Sequence, residues 1–287
     1  DSYLEEKPMD KFSPENLLTS KKGFETVIYS LHNFARSGLF QSNNEDVMNT
    51  GTDVACSGVT DGRFFNDYSL ILPEHATPKF YWNWAYQKML KDANLIITRA
   101  ENPNVSWTED EKNTIVAEAK FFRAYTYNIL VNLFGGVPIV DKEELSPRFD
   151  YTRASRKEVL EFIQKDLEFA AQYLPIVTSD ASQDGRIFRA AANHLLSEVY
   201  ISLGQETGDQ LFYDKSIAAA TAVIDGSCGE YALVKSRFGD TSRPGDYYSD
   251  LFWTNQQNRA SGNKEGMWVV QFEYLTPGAE EANNAQL

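Results

Sequence analysis

Cysteine is nearly missing from this chain. Two occur in 287 residues, Cys56 and Cys228. That excludes a disulfide framework, and two thiols alone cannot complete a structural zinc site. Whether they pair is left open by the sequence. Histidine is scarce as well: His32, His75 and His194 are the full set, and none sits at a metal-ligand spacing. Basic residues are outnumbered, 27 Lys and Arg against 41 Asp and Glu, for a net charge of −14. A chain this acidic repels phosphate backbones and anionic lipid heads, which argues against nucleic acid as a partner and leaves neutral ligands open. There is no run of about 18 apolar residues, hence no transmembrane helix in the sequence.

The common catalytic signatures are missing too. GxSxG, HExxH, a Walker A loop and a dinucleotide fingerprint do not occur. Asp180 to Gly185 opens like a calcium loop, but its twelfth position is Ala191 rather than the bidentate Glu that such a loop needs. A turn before a helix is the better reading. Glu143-Glu144 and Glu280-Glu281 read as solvated faces rather than as two carboxyls set across one glycosidic bond. No cofactor and no metal is expected, and no catalytic residue is assigned.

What the chain does have is helical rhythm and aromatic rings. Hydrophobic residues make up 42% and aromatics 13%, with 18 Phe, 15 Tyr and 5 Trp. Ser20 caps a helix over 21–36 whose apolar positions Phe24, Val27, Ile28, Leu31 and Phe34 follow 3.6-residue spacing. A helix over 79–101 ends at Asn102-Pro103. Thr108 with Glu111 and Ser155 with Glu158 form capping-box signatures for helices over 109–134 and 155–174. Gly135-Gly136 and Pro138 stop the first of these. Two more helices are expected over 189–204 and 212–226. Residues 37–78 and 227–266 lack this rhythm and read as loop-rich insertions. Residues 267–275 read as a strand, with Val269, Val270 and Phe272.

The helices come in twos. A stripe of small and aromatic residues on one helix, a Gly near its end and small residues on the next follow tetratricopeptide logic: small residues let helices approach, and each pair buries its open face by stacking on its neighbour. The fold class expected is mostly α, with tetratricopeptide-like stacked helix pairs over about 21–36, 79–134 and 155–226, irregular insertions and a little β.

Aromatics also lie off the helical stripes. Phe80, Tyr81, Trp82 and Trp84 crowd one helix start, Phe64, Phe65 and Tyr68 precede it, and Tyr247, Tyr248, Phe252 and Trp253 follow the helices. Rings that stack on a pyranose face, beside polar groups that bond its hydroxyls, are how proteins hold sugars. On this chemistry the candidate ligand-binding residues are Arg63, Tyr68, Trp82, Asn83, Tyr248 and Trp253.

The stretch KFFRAYTYNILVNLFGGVPIV (120–140) closely resembles the signature helix and exit of the SusD/RagB family, the surface glycan-binding lipoproteins of Bacteroidetes. DSYLEEKPMDKFSPEN (1–16), SRKEVLEFIQKDLEFAAQYLP (155–175), GRIFRAAANHLLSEVYISLG (185–204) and NKEGMWVVQFEY (263–274) resemble further family segments, in order. The resemblance implies a right-handed tetratricopeptide-like superhelix with an irregular remainder that builds the ligand site. It implies a lipid anchor on the outer membrane, a SusC-like TonB-dependent transporter as partner, oligosaccharides or in some members peptides as cargo, and no enzymatic activity. The lipid-bearing Cys of the family is not in this sequence, and a fragment incomplete at its C-terminus is expected from the greater length of family members. The 120–140 motif is expected to pack rather than to bind. The competing classes are a tetratricopeptide protein-interaction scaffold and a helical-toroid glycosidase.

Overall fold

A computed structural model describes residues 17–40, 71–72 and 74–272. Helix α1 (Lys21–Leu39) starts at Ser20, whose Oγ accepts from the Gly23 amide at 3.4 Å. Its buried stripe is Phe24, Val27, Ile28, Leu31, Ala35 and Leu39, so the apolar period carries the helix three residues past the expected end.

The expected helix over 79–101 begins earlier and is not one regular α-helix. It runs as α2 (Ala76–Trp84), a π-helical turn (Ala85–Met89) and α3 (Leu90–Arg99). Tyr81, Ala85, Met89 and Ala93 are all buried, at most 1% exposed. Their spacing is four, and an α-helix advances roughly 40° too far per such step. A wider π turn absorbs that drift and keeps all four on the core side.

Helix α4 (Glu109–Phe134) begins with the Thr108–Glu111 capping box, Glu111 amide to Thr108 Oγ1 at 3.2 Å and Thr108 amide to Glu111 Oε2 at 2.9 Å. Helix α5 (Arg156–Tyr173) begins with the Ser155–Glu158 box. Helix α6 (Arg189–Thr207) passes through Gly204 and ends instead at Gly208, which takes φ 71°. Gly204 has another use: a Cβ there would lie 2.7 Å from Cζ of Tyr213. It is the close-approach point onto α7 (Gln210–Ile224), and Ser216 Oγ seals the same seam by donating to the Ser197 carbonyl at 2.8 Å.

Sequential helices pack as neighbours: α3 on α4, α4 on α5, α5 on α6 and α6 on α7, while α1 lies against α2, α3 and α4. These are the stacked pairs expected from the repeat logic, around one continuous apolar core. A shared core removes far more apolar surface from water than any single pair could. The 227–266 stretch is irregular apart from the single-turn α8 (Tyr247–Asp250) and a 3-10 turn (Arg259–Ser261).

The strand expected over 267–275 is a correction. Its described part, 267–272, forms no ladder, and 273–275 lie outside the described residues. The isolated β-bridge recorded pairs Ser20 with Ser106. A strand needs a partner edge, and the chain here uses its side chains instead. Trp268 packs its indole edgewise against Phe121, Phe122 and Tyr125, with centroids at 6.1, 5.9 and 5.6 Å.

Candidate functional site

Two devices set the shape of the chain around the candidate aromatics. The first is the α4 exit. Arg123 forks onto Asp166 of α5, Nε to Oδ2 at 2.6 Å and Nη2 to Oδ1 at 2.8 Å, with both side chains at most 4% exposed. Its Nη1 donates to Asn94 Oδ1 and to the Asp141 carbonyl, each at 2.8 Å. Asn94 donates to the Val140 carbonyl at 2.8 Å, and the Val140 amide donates to Tyr127 Oη at 2.7 Å. Tyr86 Oη donates to the Pro138 carbonyl at 2.6 Å. Burial and the neighbouring Tyr127 push that hydroxyl far up, so it stays a donor. The chain turns at Gly135 (φ 72°), and Gly136 passes so close to the Ala154 carbonyl that a Cβ would sit at 2.1 Å. Residues 137–141 are thereby laid back along α3 and α4, and the conspicuous 120–140 stretch is a packing device.

The second device holds the C-terminal aromatics. Arg237 Nε meets Asp250 Oδ2 at 2.6 Å, and its Nη atoms donate to the Gly245 and Arg243 carbonyls at 2.8 Å. The Phe238 amide donates to the same Asp250 oxygen at 3.2 Å. The Arg237 hydrogen bond holds the Asp250 carboxyl below the usual range, against the effect of its burial. Gln256, 3% exposed, ties the Phe238 and Asp250 carbonyls together at 3.3 Å each. A polar frame holds the loop here, although Asp250 Oδ1 is buried with no hydrogen-bond partner among the described residues.

The rings stand on these frames. Trp82 on α2 is 39% exposed; it tilts against Tyr86 at 4.9 Å and meets Phe134 edge-on at 5.6 Å. Asn83 beside it accepts from Gln87 Nε2 at 3.4 Å through Oδ1. Around α8, Tyr248 and Phe252 are 63% and 66% exposed and lie edge to face at 5.2 Å. Trp253 is half-buried under the Arg243 guanidinium, 5.2 Å from its ring centre. Its Nε1 is buried without a hydrogen-bond partner among the described residues.

The structure thus places Trp82 next to Asn83 on one helix and Tyr248 near Trp253 around another. Among the described residues no hydrogen bond or ring contact joins the two groups. Arg63 and Tyr68 lie outside the described residues, as does Cys56. Cys228 is buried and its Sγ lies 3.3 Å from Asn193 Nδ2. No group of three or more metal-ligating side chains occurs among the described residues, and no described helix is long and apolar enough to cross a membrane.

Sequence reasoning missed the buried ion clusters: the Arg123–Asp166 pair above and a second around Glu118. Glu118, 1% exposed, binds His32 Nε2 at 2.8 Å and Arg186 through Nε and Nη2 at 3.0 and 2.5 Å. Burial pushes its carboxyl up, but the His32 hydrogen bond and the Arg186 charge more than offset that and hold it at about 2. The signal was available: Glu118 lies on the buried side of α4, three residues after Ile115 and four before Phe122, where a charge requires partners.

Comparison with known proteins adds what geometry alone does not. Residues 2–201 match the model of the SusD-like family described as "Starch-binding associating with outer membrane". The chain belongs to that family. SusD-like protein P2 of Formosa agariphila is 25% identical over 284 residues, covering 94% of this chain and 50% of its own length. A laminarin-binding SusD-like protein of known structure is 27% identical, with a TM-score of 0.57, over 74% of this chain and 44% of that one. A SusD homolog from Bacteroides thetaiotaomicron superposes with a TM-score of 0.73 at 21% identity, over 92% of this chain and 49% of its own, which supports the SusD-like fold. The chain spans about half the length of these relatives.

Proposed function

We propose that this protein binds neutral glycans at the outer face of the outer membrane, anchored there by an N-terminal lipid, and passes them to a SusC-like TonB-dependent transporter. Trp82 and Tyr248 supply stacking faces. Arg63, Tyr68 and Asn83 supply hydrogen bonds, and Trp253 backs the second aromatic group. The observation that carries this reading is the pair Tyr248 and Phe252, more than 60% exposed yet held on a hydrogen-bonded frame. Adjacent rings standing in water beside a hydrogen-bonded frame offer a face on which the apolar side of a sugar stacks. The acidic surface does not oppose a neutral sugar. Membership of the SusD-like family supports a role in carbohydrate uptake.

The protein acts by binding and not by cleavage. A glycan array probed with the full-length protein, followed by incubation of each hit with the protein and end-product analysis, tests both halves. Binding to at least one neutral glycan without release of reducing ends is expected; an empty array or a released product contradicts the reading.

One observation favours a second role, a protein-interaction scaffold. Helix α7 leaves Leu211, Ile217 and Ile224 exposed at 55%, 65% and 81%. Co-purification with a transporter barrel, or with a soluble partner instead, separates the two.

A further inference from the structure

The α8 group carries one side chain that neither its polar frame nor the proposed stacking role uses in full. The Arg243 guanidinium lies 5.2 Å over the Trp253 ring, and its Nε donates to Asp240 Oδ2 at 3.3 Å. Neither Nη atom of Arg243 makes a hydrogen bond among the described residues. The side chain is 36% exposed, so these donors stand in water. Arg237 is the opposite case. Each of its three nitrogens is taken, by Asp250 and by the Gly245 and Arg243 carbonyls.

The fold keeps Arg243 with the exposed rings. Arg237 joins the Arg243 carbonyl to the Asp250 carboxyl, and Asp250 lies midway between Tyr248 and Phe252 in the chain. Asp250 is fully buried. Successive helical residues turn by about 100°, so residues two before and two after it face the other way. The turn runs on past α8, with the Phe252 amide donating to the Ser249 carbonyl at 3.1 Å. Tyr248 and Phe252 are accordingly the rings that face water. Trp253 follows directly, and Arg243 covers it.

Charge decides what the free donors can take. Within this frame two guanidiniums, Arg237 and Arg243, stand against three carboxylates, Asp240, Asp246 and Asp250. An anion finds no net countercharge there, and a cation meets Arg243 itself. A neutral oxygen remains. A guanidinium presents its N–H groups as a rigid planar fork. Two hydroxyl oxygens on adjacent ring carbons match that fork, while the C–H face of the same ring can lie on an aromatic side chain.

Resting on the glycan reading above, we propose that Arg243 determines specificity in the α8 group: its two Nη groups donate to a pair of adjacent hydroxyls on a neutral pyranose whose apolar face lies on Tyr248 and Phe252. The ligand class this selects is a glycan whose interior rings keep two neighbouring hydroxyls free, as 1,4-linked hexoses do. Interior rings of a 1,3-linked hexose chain carry no such pair, because the linkage oxygen takes the middle position.

The test uses the full-length protein and four probes: cellohexaose, maltohexaose and mannohexaose, which are 1,4-linked, and laminarihexaose, which is 1,3-linked. Calorimetry gives each affinity. At least one 1,4-linked probe is expected to bind about tenfold more tightly than laminarihexaose, the worth of a hydrogen bond to a charged donor. Arg243→Lys keeps the charge and a stem over Trp253 but has no fork. It is expected to lose about tenfold in affinity for that probe at an unchanged melting temperature, and its preference over laminarihexaose is expected to fall toward one. A side chain that only props Trp253 would change both affinities alike and leave the preference intact. The proposal is overturned if no 1,4-linked probe is preferred over laminarihexaose, or if Arg243→Lys keeps the preference. Either result beside positive glycan-array hits removes this specificity role alone; an empty array removes the glycan reading and this role with it.

Discussion

Arg123 and Asp166 form a two-pronged ion pair between α4 and α5, with Nε–Oδ2 at 2.6 Å and both side chains at most 4% exposed. Lys120 adds its ammonium to the same carboxylate at 2.7 Å. The pair fixes two neighbouring helices and, through Arg123 Nη1, the backbone at Asp141. Removing Arg123 leaves the buried Asp166 carboxylate with Lys120 alone and takes the donor from Asn94 Oδ1 and the Asp141 carbonyl. Arg123→Ala is expected to cost about 3–5 kcal/mol, more than the paired replacement Arg123→Met/Asp166→Leu. Urea unfolding of the three proteins checks the order.

Glu118 gives a pH prediction with a defined sign. Its folded-state carboxyl is held at about 2, below the ordinary 4.5. A depressed carboxyl contributes stability above its unfolded value and loses that contribution as pH falls toward the folded one. Glu118→Gln, which leaves Arg186 buried without its counterion, is expected to be much less stable than wild type at neutral pH. The gap is expected to shrink between pH 4.5 and 2, where wild type takes up its proton too. Melting temperatures of both proteins across that range test it; a constant gap would refute the assignment.

Gly204 sets the distance between α6 and α7. A Cβ there meets the Tyr213 ring at 2.7 Å. Gly204→Val is expected to destabilise by about 1–3 kcal/mol through overpacking. Tyr213→Ala is expected to recover part of that loss in the double variant, because the clash is specific to that ring. Thermal unfolding of the four proteins closes the cycle.

The scaffold was legible because its signals are local. The capping boxes at Thr108 and Ser155 define α4 and α5 at the expected residues, and the stripe from Phe24 to Leu31 is the buried face of α1. Helix pairing could be read from small residues, although Gly204 proved to be a contact point within α6 rather than its end. The π turn after Trp84 was hidden: its cause is the four-residue spacing of Tyr81, Ala85, Met89 and Ala93, which local propensity does not reveal. The strand failed for a related reason, since Val269 and Val270 look β-prone but pairing depends on a partner elsewhere. Site residues were the least legible. Trp82 and Tyr248 were singled out by what they do not do, namely fit a helical stripe. The Glu118 cluster joins His32 to Arg186, more than 150 positions apart, and only the fold brings them together.

The account rests on exposed rings that a glycan covers. The direct measurement is calorimetric titration of the full-length protein with the best glycan from the array, compared with the triple variant Trp82→Ala/Tyr248→Ala/Trp253→Ala. Stacking contacts are worth about 0.5–1.5 kcal/mol each beyond their area, so a loss of at least about tenfold in affinity at an unchanged melting temperature is expected. Equal affinity in a folded triple variant would contradict it.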